Sequence, residues 1–150
     1  MEDNPNIKSL QINTGVVTYR LNDTFDLSFN PTDAEYIEGL YRAFEELDQK
    51  QDAYKAEVAA AQNSSRKSEI FEIARRWDKE MRKLVDDALG APVCDAVFGK
   101  INVYALADGL PLWANLLLAL LDEIDTSVTQ NREISNKKIA KYTQKYKRNK

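Results

Sequence analysis

The sequence predicts an α+β fold, mostly α: a small N-terminal antiparallel β-meander packed on a helical bundle with a long helical hairpin. Three observations predict it. Apolar residues alternate at a period of two up to Phe29, then switch to spacings of three and four. Five glycines and four prolines in 150 residues are too few for a loop-rich chain. Apolar side chains also concentrate in one stretch, Leu110 to Leu121, interrupted only by Asn115. A chain of this length suits one domain with a real core. Residues 1–131 form that domain, with 1–30 as the meander and 31–131 helical; residues 132–150 form a basic extension.

The elements follow in order. After a polar tail over 1–6, Leu10 and Ile12 alternate with polar residues, then Val17, Tyr19 and Leu21, then Phe25, Leu27 and Phe29. Three strands are expected near 7–13, 16–21 and 24–29, with Gly15 in the first turn and Asn22-Asp23 in the second. Thr32 followed by Glu35 reads as a capping box, so a helix begins at Asp33 and runs to about Ala61. Its stripe is Ile37, Leu40, Phe44, Leu47, Gln51, Tyr54 and Val58, and it thins in the second half. "NSSRKSE" breaks the helix. A second, Ser65 to Leu89, carries Ile70, Ile73, Trp77, Met81, Leu84 and Ala88, with charges on the other face and Gly90 beyond its end. The two make an antiparallel hairpin. A short helix follows from Pro92 to Phe98, closed by Gly99, and residues 100–109 connect to a helix from Leu110 to about Thr126.

That last helix is apolar nearly all round, which marks a central, buried element. A stripe left over for a partner is the alternative, and the two are compatible. Trp113, Leu116, Leu117 and Leu120 are therefore candidate partner-binding residues, joined by Tyr54 and Val58 on the thinning half of the first helix. Beyond it, Arg132 to Lys150 holds eight basic residues and one acidic, against thirteen basic and twenty-three acidic before it. An acidic body near −10 thus carries a tail near +7. Lys137, Lys138, Lys141, Lys145, Lys147 and Arg148 are candidate contacts in a partly helical, solvated extension. They suit an acidic protein surface, including another copy's body, better than nucleic acid, which the acidic body repels. Tyr142 and Tyr146 keep a base-stacking alternative open.

The chain has no histidine. That removes the usual general base at neutral pH and the commonest transition-metal ligand. The lone Cys94 excludes an internal disulfide and reads as a small buried hydrophobe. No phosphate-binding, dinucleotide or nucleophile-elbow motif occurs. Carboxylate groups at Glu45-Glu46, Asp86-Asp87 and Asp122-Glu123-Asp125 read as solubilising charge; an enzyme would need Asp108, Asp122 and Glu123 to converge on one pocket. No enzymatic activity, metal or cofactor is expected. This twelve-residue stretch is short of the ~20 apolar residues that span a bilayer, so no membrane insertion is expected. The polar start "MEDNPNIKSLQIN" has no signal-peptide hydrophobic region, so a cytoplasmic location is expected.

The order of three stretches, "INTGVVTYRLNDTFDLSFNPTD", "IFEIARRWDKEMRKLVDDALGAPVCDAVFG" and "NVYALADGLPLWANLLLALLDEID", with the basic end, resembles small proteins of the tail-morphogenesis region of Firmicutes phages and prophages. The nearest class is the tail assembly chaperone, and the resemblance covers roughly residues 10–147. It implies a non-enzymatic, self-assembling helical protein of the bacterial host cytoplasm. Such a protein coats the tape-measure protein while tube subunits polymerise around it. A structural virion component (connector or tube) would look similar, and a nucleic-acid-binding accessory protein acting through the basic tail is the further alternative. The class has no motif from which a site residue can be carried over.

Overall fold

The computed structural model describes residues 4–64 and 67–148, with side chains to residue 141 apart from 139. The order is β1 (Val17–Leu21), β2 (Phe25–Phe29), α1 (Ala34–Gln62), α2 (Glu69–Leu89), α3 (Val93–Phe98), β3 (Leu106–Ala107), β4 (Leu110–Pro111) and α4 (Leu112–Arg148). This is the α+β, mostly α architecture expected. The meander is shorter, however. β1 and β2 pair antiparallel, Val17 opposite Phe29 and Leu21 opposite Phe25, and residues 7–13 form no strand. Asn22 and Asp23 both take positive φ at the connecting turn, where short polar side chains tolerate it. Tyr19, Leu21, Phe25, Leu27 and Phe29 turn toward the core. On the other face Thr18 bonds Ser28 at 2.7 Å, and Arg20 donates to Asp26 at 2.8 Å.

α1 is capped by Asp33, not by the Thr32–Glu35 box. The Asp33 carboxylate accepts from the Glu35 amide at 3.1 Å, while the Thr32 hydroxyl donates to Asn30 Oδ1 at 2.8 Å. An aspartate one residue nearer the helix does the same work for its free amides. α1 and α2 run antiparallel, as the pairing of Tyr36 with Leu89, Lys50 with Glu80 and Glu57 with Arg76 shows. Leu40, Leu47, Met81 and Val85 are sealed between them. α2 starts at Glu69, four residues later than expected, and ends on Gly90 in the left-handed conformation. At the distal end Glu57 accepts from Arg76 and, at 2.6 Å, from the Trp77 indole; these contacts hold its carboxyl below the ordinary glutamate value.

The polar face of α2 has a structural task. Asp78, Arg82 and Asp86, spaced four apart, fasten the chain that follows. Asp86 accepts from the Val93 and Cys94 amides at 3.0 and 2.9 Å, capping α3. Arg82 bonds Asp78, Asp95 and the Ile101 carbonyl, and Asp78 accepts from the Val103 amide at 2.7 Å. Burial works against the charge on Arg82, but the carboxylates of Asp78 and Asp95 outweigh it and its pKa rises. Cys94 is sealed, and burial followed by the nearby Asp86 charge pushes its thiol well above the ordinary value. A thiol kept protonated this way is not a nucleophile.

α4 runs antiparallel to α1, from Trp113 beside Phe44 and Gln51 to Val128. Its 37 residues extend about 56 Å at ~1.5 Å per residue. The helix passes through 131–132 without a break, so the expected extension is the uninterrupted end of α4. Leu27, Phe29, Leu40, Leu47, Met81, Val85, Trp113, Leu117 and Ile124 belong to one core between sheet, hairpin and α4.

Candidate protein-binding groove

Of the six residues expected to face a partner, Trp113, Leu116, Leu117 and Leu120 are buried, and Tyr54 and Val58 are half-buried. Trp113 is 2% exposed; its indole donates to Gln51 Oε1 at 2.9 Å and its ring meets Phe44 edge-on, centroids 5.4 Å apart. Leu116, Leu117 and Leu120 are buried with it. Tyr54 is half-buried, stacked on Tyr104 at 4.0 Å, and Val58 is half-buried on the distal hairpin. The correction has a plain cause: a helix apolar on most of its circumference, with α1 and the sheet beside it, gives its richest face to the core. Lys137, Lys138 and Lys141 are exposed on α4; the side chains of Lys145, Lys147 and Arg148 lie outside the described residues.

What α4 leaves outside is a different face, beside a small hairpin where the sequence predicts only a connection over 100–109. β3 and β4 pair Leu106 with Pro111 and Ala107 with Leu110. Asp108 and Gly109 both take positive φ between them. Asp-Gly between apolar residues is a strong signal of such a turn, and it was legible in the sequence. Asn115 Nδ2 ties the hairpin to α4 through the Ala107 carbonyl at 2.8 Å, and Leu112 N–H donates to Ala105 at 2.9 Å. So held, the hairpin presents Leu106, 70% exposed, together with Leu110 and Leu118.

These side chains rim a groove of about 400 Å³ along the first turns of α4. Phe44, Trp113 and Ala114 line its inner side, and Asp48, Gln51 and Lys55 of α1 line the opposite side. Across the hairpin lies a second cleft of about 710 Å³, lined by Leu21, Val97, Phe98, Ile101, Leu112 and Leu116. Isolated exposed leucines are ordinary, whereas apolar residues gathered around a groove mark interaction surfaces. The groove offers apolar walls and a short polar edge, the layout that takes an amphipathic helix.

The geometry offers little to chemistry. Asp108 sits at the exposed hairpin turn, and Asp122 and Glu123 are exposed on α4. Residues 108 and 122 are separated by more than two turns of α4, so the three carboxylates do not share a pocket. Among the described residues no three Cys, Asp or Glu side chains are placed to hold a metal ion. Nor is any helix of the described chain long and apolar enough to cross a membrane. No protein-family model, curated protein or solved structure matches the chain.

Proposed function

We propose that this protein is a non-enzymatic assembly factor of phage tail morphogenesis, a tail assembly chaperone or adaptor. In this reading its groove holds an amphipathic helix of a partner such as the tape-measure protein in the host cytoplasm. The observation that carries the reading is the exposed set Leu106, Leu110 and Leu118 around an apolar groove on a rigid helix start. A long, apolar client needs such a cover until tube subunits replace it. The acidic body and basic α4 end favour self-assembly of the cover along that client.

The test is co-purification with a fragment of the tape-measure protein from the same phage, using wild type and a Leu106→Glu, Leu118→Glu double variant. Both positions are exposed, so the variant keeps its fold. Capture by wild type and at least tenfold weaker capture by the variant, ~1.4 kcal/mol, is the expected result. Equal capture by both, or none by wild type, overturns the proposal. A second reading, nucleic-acid binding, is favoured by exposed Lys137, Lys138 and Lys141 on α4. It requires binding to a labelled DNA duplex that weakens steeply with salt and disappears when the chain stops at Gln130.

A further inference from the structure

The segment Ile7–Asn13 has the sequence of a strand and no place in the sheet. Leu10 and Ile12 alternate with Ser9, Gln11 and Asn13, yet both are almost wholly exposed, 81% and 78%. The sheet lacks the strand this segment would supply. Among the described residues β1 pairs only with β2, so its other edge has no strand partner there. The side chain that a third strand would cover, Val17, is 41% exposed although it lies on the core-facing side of β1. A two-stranded ribbon is marginal in water, so segment and edge each gain from a partner of the other's kind.

They do not find it within one chain, and the reason is local. For Ile12 to reach its own Val17, residues 13–16 must close a tight loop. Instead that stretch is held against the start of α1. Asn30 Nδ2 donates to the Thr14 carbonyl at 2.8 Å, and Gly15 N–H donates to Asn13 Oδ1 at 2.9 Å. Gly15 has φ +73° and packs so closely on Asn30 that an added Cβ would stand 2.7 Å from Nδ2. A segment with a strand pattern, left unpaired beside this tether at residues 13–15, suits a donor arm for another molecule.

We propose that two copies of this chain associate by exchanging these arms, Ile7–Asn13 of each adding to the free β1 edge of the other. Seating Ile12 against Val17 and Leu10 against Tyr19 extends the apolar face of the sheet. It leaves Ser9, Gln11 and Asn13 on the wet face beside Thr18 and Arg20. Backbone bonds set the affinity, and the alternation sets the register. Because each copy gives and receives the same arm, the interface closes as a twofold dimer. This is independent of what occupies the groove at Leu106 and Leu118.

Light scattering coupled to size exclusion, on the full chain up to about 500 µM, reads the first consequence. The expected mass is twice 17.1 kDa, with Leu10→Lys, Ile12→Lys reverting to 17.1 kDa while keeping its circular dichroism spectrum and its capture of the tape-measure fragment. The second consequence is read by mixing single variants. Gln11→Cys and Thr18→Cys stand opposite each other in this register, so their mixture should yield a disulfide-linked dimer under mild oxidation that neither variant forms alone. A monomer at every concentration overturns the inference. So does a disulfide that forms only inside one chain carrying both cysteines, or a dimer indifferent to the lysine pair. A dimeric wild type that captures no tape-measure fragment would count against the proposed function and leave the exchange standing.

Discussion

The pair Trp113–Gln51 carries the most decisive test of the core. Trp113→Phe removes the indole N–H and part of the ring; Gln51→Leu removes the acceptor while keeping an apolar side chain of similar length. Both partners are buried, Trp113 at 2% and Gln51 at 9% exposure. Either single change therefore strands a buried polar group, at about 1–3 kcal/mol, and Trp113→Phe adds about 1 kcal/mol for the space left. The double variant strands nothing, so it should cost less than the two singles together by at least about 2 kcal/mol. Urea unfolding followed by circular dichroism reads this directly. With a slope near 2 kcal/mol per molar, Trp113→Phe moves the midpoint down by roughly 1–2 M. A cost below about 0.5 kcal/mol would mean that the ring sits at a surface. Additivity within about 0.3 kcal/mol would mean that the 2.9 Å bond is not made in solution. The first outcome refutes the buried-pillar account of α4 and restores Trp113 as a partner contact; the second removes this bond from that account.

Other expectations follow from single features. The Tyr104 hydroxyl is buried with no hydrogen-bond partner among the described residues, so Tyr104→Phe should hold or raise stability, by up to ~1 kcal/mol in urea unfolding; a loss above that would reveal a bond. Burial pushes the Tyr36 hydroxyl up to about 12, above its unfolded value, so the folded state keeps that proton longer. The resulting stability is fully present below pH ~10 and lost as pH rises toward 12; melting temperatures over this range should fall less steeply in Tyr36→Phe. Arg82→Met frees Asp78, Asp95 and the Ile101 carbonyl at once, and should cost about 2–3 kcal/mol by thermal unfolding; a loss under about 0.5 would show the residue 92–103 segment to be held without Arg82, by packing and the bonds to Asp78 and Asp86. A chain ending at Gln130 keeps every buried core residue, and should melt with a stability change within about 0.5 kcal/mol.

Elements with a strong period were legible in the sequence. Both ends of α1 and the C-terminal end of α2 follow from the sequence because each helix has one apolar stripe and a polar back, and Gly90 marks a stop no other residue makes as cheaply; the start of α2, behind a run of polar residues with no stripe, falls four residues later than the sequence predicts. The strand at 7–13 was misjudged because alternation says which face a strand would bury and nothing about whether an edge is free for it within the same chain. The end of α4 was misjudged for the opposite reason. Residues 132–148 have no stripe to bury, yet they continue a helix already nucleated by the buried turns before them, which removes the costly first step. The groove escaped notice because its leucines, 106, 110 and 118, come from two strands and a helix. Their proximity depends on the Asp108-Gly109 turn and on Asn115, the polar interruption of an otherwise apolar run.

That asparagine shows how the leucine-rich stretch serves two ends. A helix start with leucine on every side would be engulfed by the bundle. Asn115 faces away from the core and holds the Ala107 carbonyl, so the β3–β4 hairpin stands over α4. The hairpin sets Leu106 and Leu110 beside Leu118 on the outer side of the same helix whose Leu117 and Leu120 are sealed within. Burial and presentation are thus separated by rotation around one helix. The sealed face backs the groove with the packed core. A partner helix of the proposed kind would meet a site already backed by the core, and a larger share of the apolar contact would appear as affinity.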